Sequence, residues 1–178
     1  TDALGCHPGY APSYSIGKVA TEAVVRTLAR IYDLPVTIGR LGMNYGVGVS
    51  GAPNFAFKEI LAGNTLTVPP RGTSFCGLIN NDDILEHVEP LLNAASVPAT
   101  IVNWCGDECV DERDVYDYMA AIAGLELKTV ESASAGYLGG FGDPSRRRAI
   151  TGPTRPWKPA FLDMLRANYP EHTFTAID

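Results

Sequence analysis

The sequence predicts an α/β fold with a largely parallel sheet. Apolar residues recur at helical spacing in several segments, short apolar runs bounded by proline and glycine alternate with them, and no internal repeat is present. At 178 residues the chain buries one sizeable core, so it forms one domain or one large piece of a domain.

Ser13 to Tyr32 reads as a helix, with Ile16, Val19, Ala20, Ala23, Val24 and Ile31 on one stripe. Pro12 or Ser13 starts it and Leu34-Pro35 ends it. A second edge of Val25, Leu28 and Tyr32 predicts packing on more than one side, against its own core and another subunit. "PVTIGRL", 35 to 41, is a short strand, and the loop "GVGVSG" follows at 46 to 51. Next come a helix in "NFAFKEILAG" and short strands at 65 to 68 and 75 to 79. "NNDDILEHVEPLLNAA" is a helix capped by Asp82 or Asp83. "ATIVNWC" is a strand, and "DERDVYDYMAAIAG" a helix from Asp111 at its N-cap to Gly124 at its end. After 127 to 130 the pattern weakens through "ESASAGYLGGFGDPS", and a last amphipathic helix spans 159 to 169.

Composition excludes several functions. A hydrophobic fraction of 46% with 19% charged residues is that of a soluble globular chain. A net charge of -6 and a pI near 5.0 argue against a nucleic-acid partner. Arg146, Arg147 and Arg148 are the tightest basic cluster and read as a solvated turn or helix start. No apolar run approaches the roughly 18 residues of a membrane span, and no signal peptide is visible. Of Cys6, Cys76, Cys105 and Cys109, the last two form CxxxC without a nearby histidine, so no metal site is expected. Reduced thiols and a cytoplasmic location follow. The chain starts at Thr1 in a turn-rich stretch without an initiating methionine, and reads as the remainder of a longer protein.

Two segments invite a chemical reading. Gly46, Gly48 and Gly51 spell G-x-G-x-x-G, but Asn44 and Tyr45 separate the loop from its strand and Pro53 delays the helix. No acidic residue stands about 20 positions on for a ribose hydroxyl. The loop therefore reads as a substrate-side loop. "SYSIGK" is different, because Tyr14 and Lys18 lie one helical turn apart on one face. A phenol titrates near 10, and a neighbouring ammonium favours its ionised form. Tyr14 then serves as a proton donor to a carbonyl oxygen, or as an acceptor from an alcohol. On spacing alone the pair is equally a polar strip continued by Glu22, Arg26 and Arg30.

"PSYSIGKVATE" followed by "LPVTIGRLGMNYGVG" resembles the extended short-chain dehydrogenase/reductase superfamily, in its NAD-dependent epimerase/dehydratase branch. Glu22 four residues after Lys18, the Arg40-Leu41 pair, the turn Tyr45-Gly46-Val47-Gly48, "INNDDI" and "IVNWCGDECVDERDV" carry the resemblance along nearly the whole chain. It implies the C-terminal part of a Rossmann-like doubly wound parallel sheet plus a small substrate-binding α/β lobe. Residues 1–48 would end the dinucleotide-binding fold. Residues 49–178 would be mostly substrate lobe, with returning Rossmann elements near 75–105. The implied activity is hydride exchange between NAD or NADP and a carbonyl or hydroxyl carbon of a small-molecule or sugar-type substrate. Tyr14 would be the acid/base, Lys18 would hold the ribose hydroxyls, and Leu41, Gly42 and Met43 would pass the nicotinamide ring. Asn44, Asn54, Phe55 and Arg71 fall on the substrate side, although Phe55 is read equally well as core. A homodimer through the active helix is implied.

The chain departs from the family pattern in lacking the glycine-rich pyrophosphate loop and the Ser/Thr that precedes the tyrosine. Met43 stands where many members have asparagine, and only Arg71 is available as a phosphate clamp. These 178 residues alone are therefore expected to show little turnover. The other reading is a catalytically silent binding or regulatory module of the same fold.

Overall fold

One extended segment, 37–45, belongs to two sheets, and Gly42 is where it changes partner. The computed structural model describes residues 12–49, 51–135 and 141–177. The first helix, α1 (Pro12–Ile31), leads into β1 (Thr37–Leu41) and β2 (Met43–Tyr45). Helix α2 (Ala52–Leu61), β3 (Thr65–Val68), β4 (Phe75–Cys76), β5 (Leu78–Asn80) and α3 (Asn81–Asn93) follow. The chain continues through β6 (Thr100–Trp104), β7 (Val110–Asp111), α4 (Glu112–Ala123) and β8 (Lys128–Glu131), and ends with α5 (Ser145–Thr151) and α6 (Trp157–Asn168).

β1 runs parallel to β6, with Thr37 opposite Thr100 and Leu41 opposite Trp104. β2 is parallel to β5 and β3 to β8, whereas the two-residue strands β4 and β7 are antiparallel. The largely parallel α/β arrangement expected from the sequence is therefore present. At the switch, the Gly42 N–H donates to the Trp104 carbonyl at 2.8 Å and the Met43 N–H to the Gly77 carbonyl at 3.2 Å. A Cβ on Gly42 would meet the Gly77 oxygen at 2.6 Å and the Cys105 Cβ at 2.8 Å, so only glycine lets the strand cross here.

The core lies under α2, α4 and α6. Phe57, Met119, Phe161, Met164 and Leu165 are fully buried there with Tyr45 and Leu78. Aromatic contacts lock it: Tyr45 to Phe161 at 5.1 Å between centroids, Phe57 to Tyr169 at 4.9 Å and Tyr118 to Trp157 at 5.0 Å. Burying each such ring contributes about 1.5–3 kcal/mol.

α1 behaves otherwise. Among its described side chains only Ala29 is buried, and Ile16, Val19, Val24, Leu28 and Ile31 are exposed. Among the described residues, full burial of α1 is limited to Ala29, with Glu22 and Val25 half-buried. β1 has a single strand partner among the described residues, and a sheet two strands wide does not cover the apolar edges.

Several local expectations change. The cap of α3 is Asn80, whose Oδ1 accepts the Asp82 N–H at 2.8 Å, rather than Asp82 or Asp83. The helix starts one residue after Asn80, which leaves both aspartates in its first turn, and Asp83 is buried against Arg155. The strand read at 75–79 is two strands with different partners. α6 begins at Trp157, before the expected 159. Arg147 is not solvated: α5 buries it completely, paired with Asp107 and donating to the Gly152 carbonyl at 2.6 Å. Cys76 and Cys105 are buried free thiols and Cys109 is exposed, while Cys6 lies outside the described residues. Among the described residues no helix is long and apolar enough to cross a membrane.

Candidate functional site

Tyr14 lies in the first turn of α1, two residues after the proline that opens the helix. Pro12 supplies a pre-set φ where no N–H is needed. The four-residue spacing then stacks the two side chains: the Lys18 Nζ stands 5.2 Å from the centre of the Tyr14 ring. Tyr14 is 59% exposed. Among the described residues no carboxylate pairs with Lys18 and no hydrogen bond engages the Tyr14 hydroxyl. One turn on, Glu22 accepts two hydrogen bonds from Arg40 of β1, Nε to Oε2 at 2.9 Å and Nη2 to Oε1 at 2.7 Å. Hydrogen bonding to Arg40 holds the Glu22 carboxyl below the usual carboxylate range and raises the guanidinium in turn.

Leu41, Gly42 and Met43 carry the chain from one sheet to the next. Leu41 is exposed, while Met43 is half-buried against the core. Asn44 follows in β2 opposite Ile79, also half-buried, and Tyr45 is buried, with its hydroxyl raised far above a normal phenol by desolvation.

The described part of the glycine-rich loop is tied to the protein's own side chains. Its Gly48 N–H donates to Asn168 Oδ1 of α6 at 2.9 Å, and Val49 donates back to the Gly46 carbonyl at 3.2 Å. The Asn54 amide donates to the Val49 carbonyl, which laces the loop to the first turn of α2. The Asn54 Oδ1 is buried without a partner among the described residues. Phe55 is 58% exposed, with the Lys58 Nζ 5.9 Å from its ring centre, so it is not core. Arg71 gives one guanidinium nitrogen to Asp114 and another to Asp117, both on α4, and contacts none of the other candidates.

The structure thus joins Tyr14 to Lys18, runs 41–44 as one crossing strand, and ties Asn54 to the loop. Arg71, in the turn after β3, stands apart, held by α4. The partnership of Glu22 with Arg40 had no role in the sequence reading. Its signal was the four-residue step from Lys18 to Glu22, but the partner lies 18 residues away in a strand.

No family model matches the chain, and no curated protein matches it. Solved structures do. UDP-glucuronic acid 4-epimerase from Bacillus cereus, in complex with UDP-glucuronic acid and NAD, has a TM-score of 0.69 at 20% identity, covering 89% of this chain and 51% of that one. The dTDP-glucose 4,6-dehydratase DesIV from Streptomyces venezuelae, with NAD and TYD bound, gives 0.71 at 20% identity, over 90% of this chain and 51% of that one. RMD from Pseudomonas aeruginosa, complexed with NADPH, gives 0.67 at 22% identity, over 95% and 60%. The chain therefore spans half to three-fifths of the length of these structures. Over that length it has the same fold as these structures.

Proposed function

We propose that the chain is the substrate-side portion of an NAD(P)-dependent epimerase, dehydratase or reductase acting at a carbonyl or hydroxyl carbon of a sugar-type small molecule. On this reading residues 1–48 close the dinucleotide-binding fold and most of 49–178 is the substrate lobe. The Tyr14–Lys18 pair carries it: an exposed phenol with an ammonium 5.2 Å from its ring centre. The pair fits the nicotinamide–ribose end of a dinucleotide, since Lys18 offers three N–H donors and no described carboxylate competes for them. The fit does not extend to the pyrophosphate, because the glycine-rich turn is laced to Asn54 and Asn168. Neighbours in complex with NAD, NADPH and sugar nucleotides support the same reaction class.

A bound nicotinamide supplies or accepts the hydride at the substrate carbon. As the carbonyl π electrons move onto oxygen, the Tyr14 hydroxyl gives that oxygen its proton; in reverse it takes the proton of the alcohol. Lys18, 5.2 Å from the ring centre, would face the negative charge left on the phenolate and would hold the ribose hydroxyls. Leu41, Gly42 and Met43 would line the nicotinamide side, with Asn44, Asn54 and Phe55 on the substrate side. Arg71, neutralised by two carboxylates, is a weak anchor for a phosphate.

The test uses the full-length natural chain. NAD or NADP should raise its melting temperature. Tyr14→Phe should lower turnover by about 10²–10⁴-fold while that stabilisation persists. Unchanged turnover in Tyr14→Phe overturns the catalytic role. Stabilisation by the dinucleotide without any turnover replaces it with the silent-module reading.

A further inference from the structure

Resting on that reading, we propose that Glu22 is a positioning residue: through Arg40 it fixes the Tyr14–Lys18 face of α1 against the 41–43 strip. Tyr14, Lys18, Glu22 and Arg26 follow at four-residue steps, each rising about 6 Å along the helix. In the sequence they form one charged stripe, but the structure separates them. The Glu22 side chain is only 19% exposed and turns to the sheet, whereas Arg26 reaches it only at 4.0 Å. Arg40 grips Glu22 through both Nε and Nη2, a side-on fork that fixes orientation as well as distance.

The eight residues from Glu22 back to Tyr14 span about 12 Å of helix, so a tilt of about 5° at Glu22 carries Tyr14 roughly 1 Å sideways. Misplacement of about 1 Å is enough to cost on the order of 10²-fold in rate. Glu22 stands one turn after Lys18, and Arg40 directly precedes Leu41, so one ion pair links the proton-transfer pair to the strip beside it. Arg40 is 55% exposed, and an exposed ion pair adds little to global stability. Geometry and stability therefore separate.

Glu22→Gln keeps the shape and removes the charge, while Arg40→Lys keeps the charge and removes the fork. In the full-length natural chain each should lower kcat by about tenfold or more, with the melting temperature nearly unchanged and the KM for substrate little altered. The double variant should be no worse than either single one, because both remove the same contact. As a second readout, Glu22→Gln should weaken the stabilisation by NAD or NADP. Wild-type kcat and dinucleotide stabilisation in both variants overturn the inference, as does a kcat loss that merely tracks the folded fraction. Tyr14→Phe separates the two claims: if it lowers turnover and Glu22→Gln leaves kcat unchanged, only the positioning role falls. If the wild type neither turns over nor binds a dinucleotide, both fall.

Discussion

His87 lies buried in α3, and its Nδ1 accepts the indole N–H of Trp104 at 3.2 Å. Only a neutral imidazole accepts there, and burial, helped by the nearby Arg147 charge, holds His87 below its ordinary value of 6.5. Asp83, Glu86 and Asp107 oppose this only in part. A histidine that binds protons less readily folded than unfolded makes stability fall as pH drops through 6.5, until the folded-state value is passed. Urea midpoints measured from pH 7.5 downward should show this decline, and His87→Leu should flatten it. The substitution strands the Trp104 N–H, so the slope decides and the level does not. Arg147, fully buried, pins Asp107, and the partly exposed Arg155 pins the buried Asp83. None of these pairings was legible in the sequence. "SRRRA" reads as a solvated cluster because nothing local says that Asp107 waits 40 residues upstream.

Among the elements, those closed by their own chemistry were the most readable. Asp111 caps α4 by accepting the Arg113 N–H at 2.9 Å, and Gly124 ends it in the left-handed conformation, both as expected. The cap of α3 was misplaced because three consecutive residues, Asn80 aside, can all cap, and tertiary pairing of Asp83 with Arg155 decides among them. The partner switch of the 37–45 strand was not legible at all, since Gly42 looks like any strand-end glycine. It follows from the close approach of Gly77 and Cys105. Gly42→Ala forces those backbones apart, and a destabilisation of about 1–3 kcal/mol is expected for overpacking of this kind. Equilibrium unfolding in urea measures it, and an unchanged midpoint with intact strand pairing would count against the crossing geometry.

For the whole molecule the open question is what covers α1. Val24, Leu28 and Ile31 share a face and are exposed, so the full-length chain should pair through this helix as a homodimer. Sedimentation equilibrium tests it: the wild type should sediment as a dimer, and Val24→Glu combined with Ile31→Glu as a monomer. A monomeric wild type removes the interface. The sequence by itself determined the α/β class, most element positions, and the one-turn spacing of Tyr14 and Lys18, because hydrophobic period, caps and i,i+4 geometry are local properties. Only the tertiary structure decided that Glu22 faces Arg40, that Arg71 is held by Asp114 and Asp117, and that Phe55 is exposed. Those outcomes depend on which distant segment arrives alongside, and spacing along a chain carries no record of that.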